Sequence, residues 1–364
     1  MAASAAGASG LQVDNQGGQN PFWQVTNLYA RKNAQAQAPA ITLTGAIQPF
    51  SGPLDAVGFL RGPRLVVRTS GGAGTPSADN PANFFYQAGL QNTDGTEIVQ
   101  NLSAGFDLLQ WRKYFRPWLR DPYQAYDFAQ SPSPSFTLFM QPEIRQQMCA
   151  LENTDTRQQY TLTYVVNTAA AIGCATTPAA GSVSVYVDVW AQPDVADLEG
   201  VDNERLPPGV NLQMKLRRLP FTLNNAGASN DFLSSLTGNA IRGQLFICRD
   251  SNNARQDYLS GPLQWFLDDR TLASVDPDIF FQWAYDQMAS FGQRSARPAG
   301  VYPFMRFFNP GAMYGQGWLY TSNATALRLD CNTLGTAANV PGTVLLLQEE
   351  IYNTGPIDNT LLDM

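Results

Sequence analysis

The sequence predicts an all-β protein made of two tandem eight-stranded jelly rolls, with a few short helices and an N-terminal arm that leads into a helix. Three observations carry this expectation. Apolar residues recur with period two along the chain, the mark of half-buried strands. Clusters of Gly, Pro, Asn and Asp separate these runs, as the turns of a β-rich protein require. An acidic, proline-bearing stretch over 193–209, with Asp194, Asp197, Glu199, Asp202, Glu204, Pro207 and Pro208, divides the 364 residues. A usual domain length is roughly 150 residues, so two domains are expected.

Residues 1–20 are small, polar and Gly-rich and read as a flexible arm. A helix is expected over 20–35, with Asn20 as its cap and Pro21 at its first position. Phe22, Val25 and Tyr29 share one face, Trp23 belongs to the same aromatic set, and Arg31 and Lys32 close the C-terminal end. This amphipathic segment is a candidate contact with a neighbouring subunit or with lipid. Strands of the first roll are expected over 41–47, 65–69, 136–140, 160–166 and 182–190. In the last of these Val183, Val185, Val187 and Val189 face one way and Ser184, Tyr186 and Asp188 the other. Between them a helix over 106–116 places Leu108, Trp111 and Phe115 on one side and stops at Pro117.

The second roll repeats the scheme, with strands over 212–221, 243–249, 317–321, 326–330 and 343–352. Its helix starts at Asp276 as N-cap with Pro277 at N1. Phe281, Ala284, Tyr285 and Met288 form its core face, and Gly292 ends it. Leu212 lies 172 residues after Ala40, and the same offset sets one helix against the other. The repeat is read as one of architecture, without a residue-level counterpart. The expected division is an arm and helix over 1–38, a first roll over 39–195, a linker over 196–210, a second roll over 211–355 and a tail over 356–364.

Composition excludes much of enzyme chemistry. Histidine is absent, which removes Ser-His-Asp and Cys-His catalysis, His-ligated zinc, copper or haem, and an imidazole switch. Charged residues make up 15% of the chain, and 52 Asn and Gln nearly match the 23 basic and 30 acidic residues, so solubility rests on amides. Only Lys32, Lys113 and Lys215 are lysine, which leaves arginine, the residue suited to packed interfaces, as the main cation. A net charge of -7 argues against sequence-specific nucleic-acid binding and for protein partners. Cys149, Cys174, Cys248 and Cys331 form no CxxC pair and are expected as reduced thiols packed in a core. No cofactor or metal site is expected. No apolar run approaches the 18 residues of a membrane span, and the first ten residues lack the basic flank and apolar core of a signal peptide.

Few motifs could carry chemistry. Among the paired carboxylates, Glu349 and Glu350 should point to opposite faces of a strand, Asp276 beside Asp278 reads as a helix cap, and Asp268-Asp269 as a turn. No catalytic set is expected from them. Gly71, Gly72 and Gly74 read as a mobile loop, because no lysine or helix follows to complete a phosphate cradle. Asn101-Leu102-Ser103 and Asn323-Ala324-Thr325 fit the glycosylation sequon. The stretch over 111–120 interleaves cations with aromatics. Its Trp111, Arg112, Arg116, Trp118 and Arg120 are candidates for core packing or a subunit interface, with anionic-ligand binding as the sharper alternative.

Several local stretches resemble a known family. These are the run from Leu263 through Leu267-Asp268-Asp269-Arg270 to the Asp276-Pro277 helix, then Gly300-Val301-Tyr302, a Tyr314-Gly315 turn and the closing strand over 344–352. The run over 213–223, then Asp231-Phe232 and the strand around Phe246, adds to it. In order and spacing they are similar to the double jelly-roll major capsid proteins of tectiviruses, tailless icosahedral phages with an internal membrane. The resemblance covers most of residues 20–355 and is weakest over 70–180. It implies a non-enzymatic homotrimer of pseudo-hexagonal outline in a virion, made and assembled in the host cytoplasm, with minor capsid or vertex proteins as further partners. It also implies that the N-terminal helices lie towards membrane lipid. The competing readings are a carbohydrate-active or glycoamidase double jelly-roll enzyme, and a glycan-binding spike or adhesin with Trp111 and Trp118 as its aromatic platform.

Overall fold

The computed structural model describes residues 32–37, 40–56, 58–75, 79–116, 135–144, 149–172, 174–176, 178, 181–190, 212–289, 297–304 and 318–353. Several expectations lie outside them: the arm, the face made by Phe22, Trp23, Val25, Tyr29 and Arg31, the residues Trp118 and Arg120, the 193–209 segment, the helix end at Gly292, the Tyr314-Gly315 turn and the tail. Contacts divide the described residues into two compact units. Unit 1 takes those within 32–101 and 135–214, and unit 2 those within 102–116 and 215–352.

Unit 1 contains β1 (Lys32–Gln37), β2 (Ala40–Ile41), β3 (Gln48–Pro53), β4 (Gly58–Arg68), β5 (Phe85–Gln91), β6 (Glu97–Ser103, which runs out of the unit at its end), β7 (Ser135–Phe139), β8 (Leu151–Asn153), β9 (Thr161–Val166) and β10 (Gly181–Trp190). One sheet has the order β1-β10-β4-β7, with β2 also on β10 and β8 on β4; the facing set runs β3-β9-β5-β6. The valines Val183, Val185, Val187 and Val189 are all fully buried, as their alternation predicts. Phe84, Phe85, Phe136 and Tyr164 meet edge to face around the same core.

Unit 2 contains β11 (Leu212–Leu223, whose first three residues are counted with unit 1), β12 (Ser229–Ser234), β13 (Ala240–Arg249), β14 (Leu259–Leu267), β15 (Arg270–Val275), β16 (Val301–Phe304), β17 (Leu319–Tyr320), β18 (Leu327–Thr333) and β19 (Gly342–Asn353, whose last residue is counted with unit 1). Its sheets run β11-β19-β13-β16, with β17 also on β13, and β12-β18-β14-β15. Strand for strand this is the order of unit 1, with β4 answering to β13 and β10 to β19. Each unit is therefore a jelly roll of two sheets, each built on a row of four strands, with short strands added at β10, β4 and β13. Helix α1 (Gly105–Phe115) follows β6, a four-residue α2 (Ala169–Ile172) precedes β10, and α3 (Pro277–Ala289) follows β15.

Four expectations are corrected. The expected helix over 20–35 cannot extend to its C-terminal end, because Lys32–Gln37 is β1 and pairs antiparallel with β10. Residues 42–47 leave the sheet between β2 and β3 in a turn held by Thr44, whose hydroxyl donates to the Ala46 carbonyl at 3.1 Å. The Gly71–Gly74 loop is tied down by paired backbone hydrogen bonds between Ala73 and Thr176, both 3.0 Å. Helix α1 is grouped by its contacts with unit 2. Every residue from Gly105 to Phe115 is buried, not one side alone.

The second helix keeps its expected start, since Asp276 accepts the Asp278 amide through Oδ1 at 3.0 Å. Its inward face is rotated, however. Phe280, Ala284 and Met288 are buried, while Tyr285, expected inside, is 46% exposed. The cause is an aromatic stack: Trp265 lies on Phe304 at 3.9 Å and on Phe280 at 5.5 Å, which draws position 280 into the core. Of the cysteines, Cys149, Cys248 and Cys331 are buried and Cys174 is half-buried, all as free thiols.

Candidate functional site

The last strand of unit 2 carries three consecutive buried polar residues, Gln348, Glu349 and Glu350. A strand sends neighbours to opposite faces. Glu350 accepts from Asn239 Nδ2 at 2.7 Å and from Gln348 Nε2 at 2.9 Å. On the other face, Glu349 Oε2 accepts the Trp111 indole N–H at 2.5 Å and the Arg116 guanidinium at 2.8 Å, and Oε1 accepts from Arg242. Arg116 also lies 5.1 Å over the Trp111 ring. Burial alone would push the Glu349 carboxyl up, but the Arg116 and Arg242 guanidiniums outweigh it and hold the group below the ordinary glutamate range.

Arg242 reaches this carboxylate because it is the extra residue of a β-bulge. Ile241 pairs with Glu350 and Gly243 with Glu349, so the residue between them is turned out of register. Unit 1 repeats the device. Leu60 pairs with Val189 and Gly62 with Asp188, which makes Arg61 the extra residue in β4. Asp188 thus stands where Glu349 stands, 3.5 Å from Arg61 and 2.8 Å from Arg64. Arg61 Nε also donates to Glu143 Oε2 at 2.5 Å, and Glu143 Oε1 accepts the Trp190 indole N–H at 2.6 Å. Here burial is the largest influence, and it raises the Glu143 carboxyl despite Arg61 and Trp190.

The repeat therefore reaches the residue level, contrary to the architectural reading. Leu60-Arg61-Gly62 and Ile241-Arg242-Gly243 occupy the same bulge, and Leu108-Leu109-Gln110-Trp111 corresponds to Phe280-Phe281-Gln282-Trp283, 172 residues later. Each helical tetrapeptide begins four residues beyond its N-cap position, Ala104 or Asp276. The glycines are required by close approach. A Cβ on Gly62 (φ +153°) would stand 2.0 Å from the Met140 carbonyl oxygen, and one on Gly243 would stand 2.1 Å from Phe115 Cε1. Sequence reasoning missed Arg61, Glu143, Asp188 and Arg242. The available signal was a glycine interrupting a strand pattern directly after an arginine.

Other candidates fall into place. Trp111, Arg112 and Arg116, proposed as interface residues, are 0%, 4% and 0% exposed, which makes them internal to the protein and rules out Trp111 as a solvent-facing platform. Asp268 adopts φ +49° in the β14–β15 turn and accepts from the Thr325 hydroxyl at 2.7 Å and from the Thr325 and Ala326 amides at 3.0 Å. The Thr325 hydroxyl bond leads in holding that carboxyl below its ordinary range. With Asp276 capping α3 and Glu349 sealed in its junction, these carboxylates have structural partners and face no common cleft. Among the described residues, α3 carries three exposed large apolar side chains, with Ile279 and Trp283 51% and 50% exposed beside Tyr285. Beside them lies a groove of about 470 Å³ lined by Trp283, Asp286, Gln287 and Pro303 over Phe280 and Phe304.

No protein-family model matches the chain, and no curated protein matches its sequence. In fold it is similar to solved viral capsid structures. The capsid structure of virus PBCV-1 matches with a TM-score of 0.63 at 12% identity, over 88% of this chain and 93% of that one. That of Sulfolobus turreted icosahedral virus gives 0.62 at 14%, over 90% and 92%. The major capsid protein of bacteriophage PM2 gives 0.53 at 10%, over 90% and 100%. The chain has the double jelly-roll fold of these capsid proteins.

Proposed function

We propose that this protein is the major capsid protein of an icosahedral virus, a structural subunit without catalytic activity. The observation that carries the reading is the pairing of two jelly rolls of identical strand order in one chain, a fold similar over about nine-tenths of its length to solved capsid subunits. Two rolls per chain let three copies tile as a pseudo-hexagon, and the closed rolls supply rigid walls. In the finer reading the shell is that of a tectivirus-like bacteriophage. Homotrimeric capsomers stand over an internal membrane, meet minor capsid or vertex proteins, and assemble in the host cytoplasm. The segment around Phe22, Trp23 and Tyr29 then faces lipid or a neighbouring capsomer. Carboxylates committed to caps, turns and buried ion pairs weigh against the glycoamidase alternative. Light scattering of the purified protein on a sizing column, with negative-stain imaging of the peak, tests the proposal. A mass near three chains and a hexagonal outline are expected; a stable monomer at all concentrations would refute it.

A further inference from the structure

Helices α1 and α3 are counterparts, yet they end in different surroundings. Trp111 of α1 is fully buried against Glu349, whereas its equivalent Trp283 is half exposed. Helix α1 lies on the outer face of β13. Phe115 covers Gly243, Asp107 stands 4.0 Å from Arg249, and Arg249 sits 5.5 Å over the Phe106 ring. Leu245 and Ile247, between these points, are 0% exposed. Aligned on the shared bulge, Gly62, Arg64, Val66 and Arg68 of β4 answer to Gly243, Leu245, Ile247 and Arg249 of β13. On β4 this row is open: Arg64 and Val66 are half-buried and Arg68 is exposed. Among the described residues, one roll thus presents a helix face with nothing laid on it, and the other presents the strand face on which such a helix lies.

We propose that the outward face of α3, formed by Asp278, Ile279, Trp283 and Asp286, binds the outer face of β4, formed by Arg64, Val66 and Arg68, in a second copy of this chain. The chemistry is complementary. Helix α3 carries two aspartates and no basic residue, and the β4 row offers the exposed Arg68 guanidinium beside Val66, with Arg64 held on Asp188 at 2.8 Å at the other end. By the alignment, Arg68 meets the Asp278-Ile279 end as Arg249 meets Phe106 and Asp107. Because the two patches differ, the contact is heterologous: each copy gives a helix and receives one, and a suitable rotation closes a ring. The inference rests on the shell reading above and names the surface through which its subunits join.

The test compares wild type with Trp283→Arg, Arg68→Glu and the exchange pair Asp278→Arg with Arg68→Glu, using Leu233→Asp on the exposed edge of β12 as control. Oligomer mass is followed by light scattering across a dilution series, and circular dichroism with thermal melting monitors folding. Trp283→Arg and Arg68→Glu are expected to raise the dissociation concentration by about tenfold or more with melting unchanged. The exchange pair should recover most of that loss, and the control none of it, having lost nothing. Because Asp278 and Arg68 are exposed, the charge arm of the test stands even if Trp283→Arg misfolds. If wild type assembles and every variant assembles equally well, the α3–β4 contact is wrong and the shell reading stands. A wild type that never assembles overturns both.

Discussion

Glu143 and Glu349 share a side chain, complete burial and an indole donor, yet their protonation is pulled in opposite directions. Glu143 meets one guanidinium, Arg61, with the Asp188 carboxylate close by, so burial prevails and its carboxyl is raised. Glu349 meets two, Arg116 and Arg242, and is lowered in spite of burial. The folded chain therefore holds the Glu143 proton more tightly than the unfolded chain does. Its contribution to stability falls as pH rises from the ordinary glutamate value of about 4.3 through the raised folded value. Glu349 does the reverse, supporting the fold above that ordinary value and ceasing to do so as pH falls through its depressed one. In denaturant titrations across pH, Glu143→Gln should remove the decline above the ordinary value. Glu349→Gln should cost about 3–5 kcal/mol near neutrality, because two buried guanidiniums lose their counter-charge. Stability equal to wild type for Glu349→Gln would sink this account. Thiol chemistry offers a second check. Burial, seconded by Asp330, pushes the Cys331 thiol up to about 12, and only Cys174 among the four is half-buried. A thiol-reactive dye should label Cys174 first and the other three only on unfolding; four equal rates in native protein would contradict it.

At the scale of elements, the packing of α1 against β13 depends on an absent side chain. Gly243→Ala would drive a methyl into Phe115, and an overpacked contact of this kind costs about 1–3 kcal/mol. Adding Phe115→Leu should return part of that loss in thermal melts, whereas an additive double variant would show that the two do not touch. The strands with clean alternation were legible in sequence: β10, β18 and β19 fall almost where period two puts them. The short or half-polar strands were not. β12 reads Ser-Asn-Asp-Phe-Leu-Ser, and β3 carries two prolines; such segments pair because neighbouring strands recruit them, not through their own propensity. Helix α3 was legible from capping and spacing and α1 from spacing and the stop at Pro117, but their surroundings were not. Position 285 lost its expected place to Phe280 because a stack with Trp265 and Phe304 exists only once the chain has folded.

For the molecule as a whole, the two-roll plan was readable from strand spacing and the 172-residue offset, while the deeper repeat stayed hidden. An Arg-Gly step in two strands has no meaning until register shows both arginines at the same bulge. Sequence singled out the Trp111 helix for its cations and aromatics, and the structure seats that helix inside the protein and leaves Trp283 of its counterpart half exposed, a difference set by tertiary packing that spacing could not show. The burial of α1 on every side has a kinetic meaning as well. A helix joined to its seat by the same chain experiences a local concentration set by the linker, which can reach millimolar whatever the dilution of the protein. It can therefore carry Asp107, Gln110, Arg112 and Lys113 into a dry setting and still dock first. Any surface that must find its seat on a separate molecule has no such tether. Folding of the single chain would then be complete at any dilution, and only a step between molecules would depend on concentration.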